Sequence, residues 1–168
     1  MGPVTTIVSS PFHRHLFLSV GVDGNLVVRS SLQKHPLLSS SASMADEAGQ
    51  SCAPVALNTA DWSKARPLVF AVAGDSNVVL IYDLGKTQPM NPTAKIHIPR
   101  TTADEACPRA LCLQYNPKVR DLLACGDSNG HVHIWQLSWN LSNAGPYEQE
   151  LLRKFVEGLF YINDYLMD

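Results

Sequence analysis

The chain has 168 residues, a formal net charge of −2 and 45% hydrophobic residues. That is enough chain for one ordinary globular core, and the near-neutral balance argues against a protein that holds nucleic acid through a basic surface. There is no run of about 18 apolar residues to span a membrane, and "MGPVTTIVSS" lacks the basic n-region and apolar core of a secretory signal.

The N-terminal segment itself reads as a strand. Thr6 completes a myristoylation pattern behind Gly2, but the strand reading accounts for the same residues better. From there the chain repeats. "VTTIVSSPFHRHLFLSVGVDGNLVVRS" begins at position 4, "LNTADWSKARPLVFAVAGDSNVVLIYD" at 57 and "ALCLQYNPKVRDLLACGDSNGHVHIWQ" at 110, a spacing of 53 each time with no gap. Each copy (4–30, 57–83 and 110–136) holds three short runs rich in Val, Leu and Ile. A polar turn separates the first two runs: "SPFHRH", "SKARP" and "NPKVRD". A Gly/Asp/Asn turn, "GVDGN", "GDSN" or "GDSNG", separates the second from the third. This predicts strand, turn, strand, tight hairpin, strand, with Gly and Asn supplying the positive φ of the hairpin.

The spacers have room for a fourth strand, in "HPLLSS" after the first copy and "AKIHI" after the second, while the third lacks a convincing one. Residues 37–52, mostly Ser-rich, read as a surface loop. Four antiparallel strands at a fixed period are the signature of propeller blades. The reading is all-β: residues 1–137 as about three four-stranded antiparallel blades, and 138–168 as a tail with an amphipathic helix. The helix is expected from about Pro146, with Leu151, Leu152, Phe155, Val156 and Leu159 on one face and its charges in accord with the dipole. That face is expected to pack on the last blade; a partner-binding helix is the alternative.

No catalytic, cofactor-binding or metal-ligating residue is expected. His131 and His133 alternate on one strand, but two imidazoles need further ligands to hold a metal, so they read as a solvent-facing pair. His13 and His15 carry no role. "GDSNG" lacks the Lys-Ser/Thr of a phosphate-binding loop and precedes a strand rather than a helix. No G-x-S-x-G elbow occurs, and Asp104 with Glu105 reads as a solvated doublet. Cys52, Cys107, Cys112 and Cys125 form no CxxC pair and read as free thiols.

The pattern of an apolar strand, aromatic-Ser/Asn-Pro, a second strand, a Gly/Asp turn and a strand ending in Trp resembles the WD40 repeat, best in "QYNPKVRDLLACGDSNGHVHIWQL". The copies depart from it in having no Gly-His dipeptide and only Arg29-Ser30, Tyr82-Asp83 and Trp135-Gln136 in place of Trp-Asp. "GPVTTIVSSPFHRHLFLSVGVDGNL", "ARPLVFAVAGDSNVVLIYDL" and "LLACGDSNGHVHIWQLS" are similar to the last blades of the dynein intermediate chains, over roughly residues 2–30 and 55–147. The resemblance implies a non-catalytic subunit whose propeller docks on a dynein heavy chain. It implies dynein light chains and a second intermediate chain as partners, through an N-terminal region outside these residues. It also implies the cytoplasm, the cytoskeleton and the cilium (axoneme and basal body) as location, with a part in retrograde intraflagellar transport and cilium assembly. Three blades do not close a ring, so the chain reads as part of a longer propeller. A WD40 peptide-binding scaffold in another complex is the alternative; a propeller hydrolase lies far behind.

Overall fold

The computed structural model describes residues 2–41, 55–89, 91–100 and 106–157. The strands recur at the spacing of the repeat. Inner strands β1 (Val4–Ser9), β5 (Leu57–Trp62) and β9 (Ala110–Tyr115) lead the three copies. Second strands β2 (Leu16–Gly21), β6 (Val69–Gly74) and β10 (Leu122–Asp127) follow, then β3 (Asn25–Ser30), β7 (Val78–Asp83) and β11 (Val132–Gln136). β4 (Leu38–Ser41) and β8 (Ala94–His97) add fourth strands to the first two sheets. The third sheet has three strands among the described residues. All pairings are antiparallel, giving three blades of a propeller and no closed barrel.

The first turn of each blade is built the same way. Ser10, Ser63 and Asn116 donate their backbone N–H to Leu16, Val69 and Leu122 at 2.9, 2.9 and 3.0 Å. Their side-chain oxygens accept backbone N–H groups inside the turn, from Phe12, from Ala65 and Arg66, and from Lys118 and Val119. A short side chain that bonds the backbone two or three residues on fixes such a turn, which is why Ser, Ser and Asn occupy this position.

Two expectations about loops need correction. Residues 38–41, at the start of the 37–52 segment read as loop, form β4, the fourth strand expected in "HPLLSS", because they complete a ladder on β3 from Val28↔Leu38 to Asn25↔Ser41; residues 42–52 lie outside the described residues. Positive φ occurs at Gly24 and Gly130 and at no non-glycine among the described residues. The middle hairpin therefore turns without an αL residue. Its Ser76 N–H reaches the Gly74 carbonyl at 2.7 Å, and its hydroxyl lies 3.3 Å from the Val78 N–H.

The core lies between blades. One cluster joins Leu16, Leu18, Val20, Leu26 and Val28 of the first blade to Trp62, Phe70, Val72, Leu80 and Tyr82 of the second. Trp62, Phe70 and Tyr82 form a ladder at successive centroid distances of 5.4 Å, and the Trp62 indole N–H donates to the Pro67 carbonyl at 2.9 Å. A second cluster joins Val69, Ala71, Ala73, Val79 and Ile81 to Ala110, Leu113, Tyr115, Leu123 and Cys125 of the third blade. The middle blade is thus buried on both faces, and β6 and β7 read as continuous apolar runs.

The tail forms α1 (Trp139–Ser142) and α2 (Glu148–Val156). α2 starts two residues after Pro146, because Tyr147 sits outside helical φ/ψ as the N-cap. Its apolar face does pack, but not on the last blade. Leu152, Phe155 and Val156 join the cluster of the first two blades, together with Phe12, Leu37 and Leu38. Leu159 lies outside the described residues.

Candidate functional site

The joints between blades carry their own polar pattern. Thr5 and Thr6 donate their hydroxyls to the carbonyls of Leu57 and Asn58 at 2.7 and 2.8 Å. Asn58 in turn donates to the Ala110 carbonyl at 3.3 Å. These bonds align the inner strands side by side, so like ends of the blades fall together. Asp61, buried in the second joint, accepts the Trp62 N–H, the Lys64 ammonium and the Tyr115 N–H across the joint at 2.9, 2.8 and 2.7 Å. The Tyr115 hydroxyl, by contrast, has no hydrogen-bond partner among the described residues, and burial pushes its phenol well above the usual range.

One further face of this kind is open. Leu26 and Val28 in the first blade, and Val79 and Ile81 in the second, are fully buried by the blade that follows. Their counterparts Val132 and Ile134 are 72% and 67% exposed. Shallow hollows on the same face are lined by Cys112, Gln114, Ala124, Gly126 and Val132, and by Leu122 and Ile134. Leu111 replaces Asn58 there and has no group to donate across a joint.

Arg66, in the turn between β5 and β6 of the middle blade, ties the tail to the blades. Its guanidinium bridges Asp83, at 3.0 Å, and Glu148, with Nε 2.9 Å from Glu148 Oε1. It also donates to the Asn140 carbonyl. Burial works against its charge, but the two carboxylates outweigh that and hold its pKa above the ordinary value. Gln33 closes the other end of α2 by donating to the Val156 carbonyl at 3.0 Å.

His131 and His133 do not form a free solvent-facing pair. The Asp127 carboxylate sits between them, its Oδ2 2.8 Å from His133 Nε2 and 3.6 Å from His131 Nδ1. Its Oδ1 accepts the N–H groups of Asn129 and His131 in the hairpin at 2.9 and 2.8 Å. Burial alone would raise the Asp127 carboxyl, but the His133 bond and these backbone donors bring it down to about 2. His133 stacks on Trp135 at 5.9 Å. The pair is thus part of the hairpin's own bonding, and no group of three or more metal-ligating side chains occurs among the described residues. His13 and His15 lie near the first turn with tilted rings 5.8 Å apart, and His15 Nδ1 is 2.8 Å from the Ser31 hydroxyl. Asp104, Glu105 and Cys52 lie outside the described residues.

No family model matches the chain. It is 40% identical over 149 residues to cytoplasmic dynein 2 intermediate chain 2 of Homo sapiens, a match covering 89% of this chain and 25% of the relative. The protein of the same name in Mus musculus matches to the same extent. Dynein axonemal intermediate chain 3 of Macaca fascicularis is 27% identical over 159 residues, 93% of this chain and 16% of that protein.

The chain belongs to the dynein intermediate chain family.

It corresponds to the C-terminal part of these intermediate chains and spans about a quarter of the length of the first two. Three features of this intermediate-chain portion were missed in the sequence. Asp61 stands where the other copies have Val8 and Gln114, so the repeat hid it. Arg66 and Glu148 lie 82 residues apart and carry no local signal of their meeting. Asp127 could have been found, since an Asp two residues before the Asn-Gly of a hairpin is well placed to accept the turn's N–H groups.

Proposed function

We propose that the chain is the blade-bearing part of a non-catalytic dynein intermediate chain that binds a dynein heavy chain and serves dynein 2 in retrograde intraflagellar transport and cilium assembly. The observation that carries this reading is the 40% identity to cytoplasmic dynein 2 intermediate chain 2 over 89% of the chain, against 27% for the axonemal protein. The fold suits the role: its polar clusters are spent on joints, turns and tail rather than gathered in a cleft. Binding of dynein light chains and of a second intermediate chain belongs, on this reading, to a region preceding the propeller. The cytoskeleton and the cilium are its expected location. The test is affinity purification of the tagged chain from ciliated cells with detection of heavy chains by mass spectrometry. Dynein 2 heavy chain should be enriched over axonemal and cytoplasmic dynein 1 heavy chains. Recovery of no heavy chain, together with normal cilia after loss of the gene, would refute the proposal.

A further inference from the structure

The net charge of −2 hides a marked separation of charge along the blades. The aligned inner strands bring the β1–β2, β5–β6 and β9–β10 turns, the β3–β4 and β7–β8 connections and the start of the tail to one end of the arc. Arg14, Arg29, Lys34, Lys86, Lys118 and Arg120 are all exposed there. None of them takes part in an ion pair among the described residues. The acids at this end are already engaged. Asp61 and Asp83 are buried against Lys64 and Arg66, Glu148 holds Arg66, Asp121 accepts from Gln136, and Glu150 and Glu157 face Lys154 and Arg153 on α2. At the other end the carboxylates Asp23, Asp75 and Asp127 outnumber Arg100 and Arg109.

Of the ten exposed large apolar side chains among the described residues, four lie at the basic end. Leu32, Val119, Trp139 and Tyr147 are 62%, 45%, 71% and 69% exposed, and each lies in a turn or tail segment beside the cations. Aromatic anchors with basic neighbours are the composition of a protein-docking surface.

We propose that this end of the blade arc docks an acidic amphipathic helix of a partner protein. The helix would lay an apolar stripe on Val119 and Trp139, which flank the bond from the Leu137 N–H to the Asp121 carbonyl at the end of the third blade, and present carboxylates to Lys118 and Arg120. A nucleic-acid strand would use the cations and the aromatic rings but leave Val119 without a role. The proposal stands whichever protein supplies the helix, so it survives failure of the heavy-chain reading.

The probe is a fluorescent synthetic helix with leucines at i, i+3, i+4 and i+7 and glutamates elsewhere, titrated against the full chain by anisotropy. Binding should weaken with salt. The double variant Lys118→Glu, Arg120→Glu should weaken it at least about tenfold, and Arg14→Glu with Lys34→Glu on the first blade should weaken it by less. All four are exposed, and an unchanged circular dichroism spectrum checks the fold. Arg109→Glu at the opposite end should leave binding unchanged, and replacing the peptide's leucines by serines should abolish it. The proposal is overturned if the helix does not bind, if Arg109→Glu weakens it as much as the double variants, or if the serine peptide, a single-stranded oligodeoxynucleotide or phosphatidylserine vesicles bind as tightly.

Discussion

Gly74 and Gly130 belong to hairpins of neighbouring blades and are glycines for different reasons. A Cβ on Gly74 would lie 1.9 Å from the Ala56 carbonyl oxygen, with no room to move because that oxygen belongs to backbone and a Cβ is fixed by the backbone that carries it. A Cβ on Gly130 would meet nothing within 4 Å, but its φ of +87° is costly for any L side chain. Gly74→Ala should therefore destabilise the chain by about 3 kcal/mol or more and Gly130→Ala by only about 1 kcal/mol, read from urea unfolding midpoints. Asp127 is the residue whose protonation reports on its hairpin. Its folded carboxyl titrates at about 2 against an ordinary 3.8, so its contribution is complete above about pH 5 and is lost as pH falls from about 4 toward 2. A carboxyl-detected NMR titration should place the Asp127 midpoint near 2 in the intact chain. His133→Ala should move that midpoint upward, since it removes the 2.8 Å hydrogen bond; an unmoved midpoint would show that the backbone donors alone set it.

At the scale of the element, the strands were legible because each is a local pattern. Apolar runs bounded by Ser/Asn-capped turns and Gly-rich hairpins recur at a spacing that three copies make unambiguous. The helix α2 was legible for the same reason, through its apolar spacing and its flanking charges. Its destination was not. The contacts that send it to the first two blades, Arg66 with Glu148 and Gln33 with Val156, join residues 82 and 123 positions apart. Removing Glu148 leaves Arg66 with Asp83 as its one remaining carboxylate in a buried site, and breaking such a pair costs about 3–5 kcal/mol. Glu148→Ala should accordingly loosen α2 before the blades unfold. In hydrogen exchange the amides of residues 149–156 should lose protection while those of β6 and β7 keep theirs; equal loss in both would mean that the tail is integral to the blades.

Across the whole molecule, one face repeats three times and is treated in two ways. Ile81 is fully buried between the second and third blades, while its counterpart Ile134 is 67% exposed. Ile81→Ala should cost about 2–5 kcal/mol, and Ile134→Ala should fall within about 0.5 kcal/mol of the unaltered chain, as measured by denaturant unfolding. A large cost at Ile134 would show that the open face is covered in solution. The sequence alone determined the blade count, the strand and turn positions and the resemblance to dynein intermediate chains, because these rest on periodicity and on contacts within about one repeat. The tertiary structure decided which faces are buried, where the tail docks, how Asp61 and Asp127 are used, and that the cations gather at one end of the arc. Those properties come from aligning segments far apart in the chain. A composition summed to −2 does not record on which end of a strand each charge falls, whereas parallel inner strands held by Thr6 and Asn58 bring like ends together.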